Sequence, residues 1–172
     1  FLFAPPDLRT ADPTVAADIY SGVFVFAGRV LDTRGLSPFE LEPPSGAWAD
    51  ALHGFGWLRH LQAAGTALAR DNARSLIRDY LGRSRSSRGV ARSPYVLARR
   101  LMSFLAQSPL ALTGADHDFY ALYLDAVRKD ATRLRDALHV TDEPGARLTG
   151  YAALTLMGLS VEGAARLEKR FG

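Results

Sequence analysis

The sequence predicts an all-α fold, a succession of antiparallel helices behind a small extended N-terminal region, and three observations carry that expectation. Downstream of Ser45, apolar residues recur at spacings of three and four, the period of one helix face. Good helix starts recur at Ser45, Ser93-Pro94 and Asp116, and good stops at Gly65, Gly82 and Pro109. Composition also suits one folded domain: 172 residues, 48% hydrophobic and 23% charged, which is enough to bury a core.

The first element expected is a short helix from Ala11 to Tyr20, with Asp12-Pro13-Thr14 as its start and Gly22 as its stop. Between Gly22 and Asp32, β-branched and aromatic residues flank Ala27-Gly28, which predicts a small β-hairpin or two extended pieces. Ser37 to Ser45 is an irregular loop, because Pro43 and Pro44 exclude helix and hold the preceding residues extended. Residues 1–172 thus form a single helical domain, with an N-terminal hairpin region over 1–44 and a helical array over 45–172.

In the array, Trp48, Leu52, Phe55, Leu58 and Leu61 share one stripe of a helix ending near Gly65. A second helix carries Leu68, Leu76, Ile77, Tyr80 and Leu81. The apolar-free stretch Arg83 to Gly89 is a loop. A helix from Ser93-Pro94 buries Val96, Leu97, Leu101, Phe104 and Leu105 and stops at Pro109. The longest helix starts at Asp116 or His117 and buries Phe119, Leu122, Tyr123, Ala126, Ala131, Leu134 and Leu138. Two more fit Pro144 to Met157 and Ser160 to Phe171, joined by a turn at Gly158. Such an array is a bundle, a solenoid or a toroid. The chain opens without Met and closes with an apolar period still running through Phe171, so a fragment of a larger protein is expected.

Several chemistries are excluded. With no Cys there is no disulfide, thiolate metal site or cysteine nucleophile. The longest apolar run, Ala152 to Val161, is half of a membrane span. No leader is recognisable, so the compartment, periplasmic or cytoplasmic, stays open. His53 and His60, placed on one helix, lie roughly 10 Å apart along its axis at about 1.5 Å per residue, too far for one metal ion. Asp116-His117-Asp118 reads as a helix cap, and His139 suits a helix C-terminus. No cofactor motif is found, and neither a phosphate loop nor a nucleophile elbow.

The net charge is +3, and only Lys129 and Lys169 among 21 basic residues are lysines. Arginine suits planar, bidentate pairing with carboxylate or sulfate, although a GC-rich coding sequence also enriches it. The Arg83–Arg92 loop lacks interleaved aromatics, which favours a solvated connector over a nucleic-acid site. Arg99-Arg100 lie beside Tyr95 and Phe104. That grouping fits a sugar bearing an anionic group, and equally an aromatic core from which a long arginine snorkels.

Gly22-Val23-Phe24-Val25-Phe26-Ala27-Gly28, Ser37-Pro38-Phe39, Pro44-Ser45-Gly46-Ala47-Trp48, Leu52 to Arg59 and Ser93 to Phe104 together resemble the N-terminal region of bacterial heparinase II/III-like proteins. The resemblance implies part of an incomplete (α/α) toroid, preceding a β-sandwich, with a uronic-acid-containing polysaccharide bound between them. It implies β-elimination in which an Asn neutralises the uronate while Tyr and His act as base and acid. Asn72, the sole Asn, falls outside any matching motif, so no catalytic set is expected in this piece. Arg100 falls on the family's inner-helix arginine, with Arg99, Tyr95, His53 and Trp57 as further substrate-binding candidates. Ser103 and Phe104 depart from that pattern, where members carry Asn and Trp. The alternative is a helical-repeat module that binds an anionic polymer or a protein partner. Further expected partners are the missing C-terminal part of the parent chain and a second copy docked on apolar flanks.

Overall fold

The computed structural model describes residues 3–83 and 92–160. Among these, the chain is all-α with one small hairpin: α1 (Val15–Tyr20), β1 (Val23–Phe26), β2 (Arg29–Asp32), α2 (Gly46–His53), α3 (Leu58–Ala64), α4 (Ala67–Gly82), α5 (Pro94–Ala106), α6 (Ser108–Leu112), α7 (His117–Leu138) and α8 (Pro144–Ser160). Most of the expected Arg83–Arg92 loop and the helix expected beyond Ser160 lie outside the described residues.

The helix expected from Ala11 starts at Val15, because Asp12 to Thr14 serve as its capping turn. The Asp12 carboxylate accepts from the Thr14 amide at 2.8 Å and its hydroxyl at 2.7 Å. β1 and β2 pair antiparallel, Phe24 against Leu31 and Phe26 against Arg29. Ala27 and Gly28 both have positive φ, 49° and 71°, which makes the two-residue connection a type I′ turn. Phe24 and Phe26 face inward onto Trp57 and Trp48.

The single helix expected from Trp48 to Gly65 is two. Ser45 caps α2 as expected, its hydroxyl accepting from the Trp48 amide. The helix then breaks at Gly54-Phe55-Gly56, where Phe55 takes φ 54° and is wholly buried. Apolar spacing persisted across the break because α2, the turn and α3 all present Leu52, Phe55, Leu58 and Leu61 to one core.

α5 sits at the centre. It packs against α2, α6, α7 and α8, and it is buried nearly all round, from Val96 to Leu105. It ends at Ala106, earlier than expected, and Pro109 stands in the first turn of α6 instead. α7 buries Phe119, Tyr123, Ala126, Leu134 and Leu138, but Val127 and Asp130 complete the stripe, Ala131 is only partly buried, and Leu122 is 39% exposed. α8 runs through Gly158, where a turn was expected. It lies close to its neighbours through Ala146, Gly150 and Ala153. A methyl group on Gly150 would meet Leu138 at 2.6 Å.

Candidate anion-binding cleft

A cleft of about 530 Å³ opens between the hairpin, α1 and the α2–α3 corner. Val15 and Ile19 of α1, the whole of β1 and the indole of Trp57 supply its apolar walls. Arg59 and Arg99 supply cations and His60 an imidazole, and Asp18 is its one acidic residue. The Gly54-Phe55-Gly56 turn makes this convergence possible. A Cβ on Gly54 would lie 3.5 Å from the Arg99 Cβ, and one on Gly56 would lie 2.6 Å from the Arg9 guanidinium and 3.6 Å from that of Arg59. The glycines therefore let three arginine side chains gather around one turn.

Their charges are balanced unequally. Arg9 is held by Asp7 at 2.7 Å, and that contact keeps the Asp7 carboxyl below the usual range. Arg59 donates to the carbonyls of Thr10, at 2.8 Å, and Gly56, and Arg99 donates to the Tyr95 hydroxyl at 3.0 Å while lying 5.5 Å from its ring centre. Among the described residues neither Arg59 nor Arg99 has a carboxylate within ion-pair distance. Burial, together with the charges of Arg9 and Arg99, pulls the Arg59 guanidinium below its ordinary pKa. Burial and Arg59 likewise pull His60 below the usual imidazole range. His60 Nδ1 lies 2.9 Å from the Asp12 amide, which donates, and 3.1 Å from the Asp12 carbonyl oxygen, which accepts, so Asp12 holds the ring by its backbone. The site thus concentrates uncompensated positive charge beside an apolar wall, which is the chemistry of a site for an anion with an apolar body.

The structure divides the residues nominated from sequence. Arg99 and Trp57 line the cleft, and Tyr95, 38% exposed, sits beside it through Arg99. Trp57 is itself fixed, its indole N–H donating to the Leu52 carbonyl at 3.0 Å. His53 points away, its ring 5.8 Å from those of Phe39 and Tyr80. Arg100, expected in the groove, is 2% exposed: it pairs with Asp130 at 2.6 Å, donates to the His53 carbonyl at 3.1 Å and lies over Tyr80. Burial opposes its charge, but Asp130 more than offsets that cost and its pKa stands above the ordinary value. In the described residues Arg100 joins α5 to α7 and α2, and contacts no open space of the cleft.

Arg59 and His60 were not singled out as ligand contacts from sequence. The signal was the Gly-Phe-Gly triplet: read as a turn, it separates His53 from His60 and starts a new helix whose first partly exposed residues are Arg59 and His60. No group of three or more potential metal ligands occurs among the described residues. Asp116 is a cap, accepting from the Phe119 amide at 2.7 Å and pairing with Arg78, and both contacts hold its carboxyl below the usual range. His139 is the C-cap of α7.

One curated relative aligns along nearly the whole chain. It is FtsZ-localized protein C of Caulobacter vibrioides, 31% identical over 162 residues, which are 92% of this chain and 27% of the relative. The chain therefore spans about a quarter of that protein's length. No family profile and no solved structure matches. The aligned stretch takes in nearly all of the chain, but three quarters of the relative lies beyond it.

Proposed function

We propose that this chain is the N-terminal, substrate-groove portion of a heparinase II/III-like polysaccharide lyase, binding a uronic-acid-containing polysaccharide and inactive when isolated. Under this reading α2 to α8 are one arc of an (α/α) toroid, and the rest of the longer protein brings the acid and base. The observation that carries it is the pair Arg59 and Arg99, held beside an apolar wall and Tyr95 with no carboxylate partner among the described residues. Tyr123 is wholly buried and its hydroxyl donates to the Phe104 carbonyl at 2.7 Å, out of reach of a ligand in the cleft, and burial pushes its pKa up. Titration calorimetry with an unsulfated glucuronate oligosaccharide tests the reading. Binding that weakens with salt and with Arg99→Ala, without release of unsaturated uronate, is expected, and absence of binding at low salt overturns it.

A second reading, a helical binding module for a protein partner, is favoured by the relative, whose name places it with FtsZ. Co-sedimentation with FtsZ polymers tests that reading. A second copy of the chain is a further proposed partner, docked on the exposed stripe Leu148, Tyr151 and Leu159 of α8, and sedimentation velocity distinguishes monomer from dimer. No helix of the described residues is long and apolar enough to cross a membrane.

A further inference from the structure

Val23, Phe24, Val25, Phe26 and Ala27 all line the cleft. Side chains of consecutive strand residues alternate faces, so five in a row can border one space only along the backbone edge of the strand. The hairpin register says which groups that edge presents. In a two-residue hairpin the pair beside the turn, Phe26 and Arg29, exchanges both backbone bonds, and every second pair does so after it. The Thr33 amide donating to the Gly22 carbonyl at 2.9 Å agrees with this phase. Val23 and Val25 therefore turn their amides and carbonyls away from β2, and neither has another backbone partner among the described residues.

The two edges of the hairpin differ. β2 carries Arg29 and Asp32, charges of the kind that guard an edge against pairing, whereas β1 is Val-Phe-Val-Phe. The bare edge borders the cleft, which Arg59 and Arg99 also line. We propose that β1 accepts an extended acidic peptide from a protein partner as a third strand, its backbone pairing with Val23 and Val25 and its carboxylates meeting Arg59 and Arg99. The strand edge itself calls for a peptide, which offers alternating donors and acceptors at strand spacing. This goes beyond the carbohydrate reading and shares the cleft with it, both its two arginines and its β1 wall.

Fluorescence anisotropy with a labelled peptide of alternating valine and glutamate, and with lysine in place of glutamate as control, tests it. The acidic peptide is expected to bind and the basic one not. Arg59→Ala and Arg99→Ala should each weaken binding about tenfold, the effect of losing roughly 1.4 kcal/mol of charge pairing. Val25→Pro should abolish binding, since it removes an outward amide that makes no bond to β2. Val30→Pro, at the facing position on the other edge, perturbs the same hairpin and should leave affinity unchanged. Equal affinity of the Val25→Pro and Val30→Pro proteins, or no binding of the acidic peptide, overturns the proposal. Oligosaccharide binding without binding of the acidic peptide overturns this proposal alone, and peptide binding without oligosaccharide binding overturns the carbohydrate reading alone, so the two fail separately.

Discussion

Replacing Asp130 with alanine should destabilise the fold more than any surface change, because it strands a cation in the core. The Arg100 and Asp130 side chains are 2% and 8% exposed, and their 2.6 Å contact joins the central helix α5 to α7. Removing one partner of such a buried pair costs about 3–5 kcal/mol, since the remaining charge has lost its counter-ion but not its desolvation penalty. For a chain of this length that corresponds to a fall in melting temperature of roughly 6–20 °C. Arg100→Met should be milder, because Asp130 keeps Arg133 at 3.3 Å. The double replacement Arg100→Met with Asp130→Leu removes both charges together and should recover most of the loss. Urea denaturation of the three proteins measures all of this. A cost below about 1 kcal/mol for Asp130→Ala, in the range of exposed pairs, or a double variant no more stable than that single one, would refute the reasoning.

The His60 pKa is held below its unfolded value of 6.5 by burial and by Arg59 and Arg9, with Asp12 opposing them, so the folded state prefers neutral imidazole. Its contribution to stability is complete above that unfolded value and is lost as pH falls through it towards the folded value; His60→Gln should flatten that part of a stability-against-pH curve. Ala27→Asn should raise stability by about 0.5–1 kcal/mol, since asparagine tolerates the positive φ of a type I′ turn better than alanine, and thermal melts followed by circular dichroism would show it. Gly150→Ala should cost about 1–3 kcal/mol by overpacking against Leu138, outweighing a gain in helix propensity of about 1 kcal/mol, and adding Leu138→Ala should remove the clash but open a cavity. In that series the single Gly150→Ala variant is informative by itself, for a stabilised protein would mean that Leu138 repacks freely.

The helices were legible because their evidence is local: the hydroxyls of Ser45 and Ser93 and the carboxylate of Asp116 each cap a helix within three residues of themselves. The hairpin was legible for the same reason, in Ala27-Gly28 between two pairs of strand formers. What was not legible depended on long-range packing. Phe55 adopts a left-handed backbone with its ring clasped by Trp57 of the corner itself, Tyr80 of α4 and Phe104 of α5, contacts invisible to periodicity. The cleft depended in turn on that break, since it is the Gly54-Phe55-Gly56 corner that brings Arg59 and His60 round to the side of α5 carrying Arg99.

Arg99 and Arg100 show why residue type could not assign the site. They are adjacent, equally charged and equally placed beside aromatics in sequence. A helix advances by about 100° per residue, so neighbours cannot share a face. Arg99 stacks back on Tyr95 one turn earlier and reaches the cleft, whereas Arg100 points between α2 and α7 and meets Asp130. A carboxylate thirty positions away therefore decides which arginine belongs to the core. The arginine without such a carboxylate keeps its charge available, and that difference is what Arg99→Ala and Arg100→Met should separate: the first should alter ligand affinity at nearly constant stability, the second stability first.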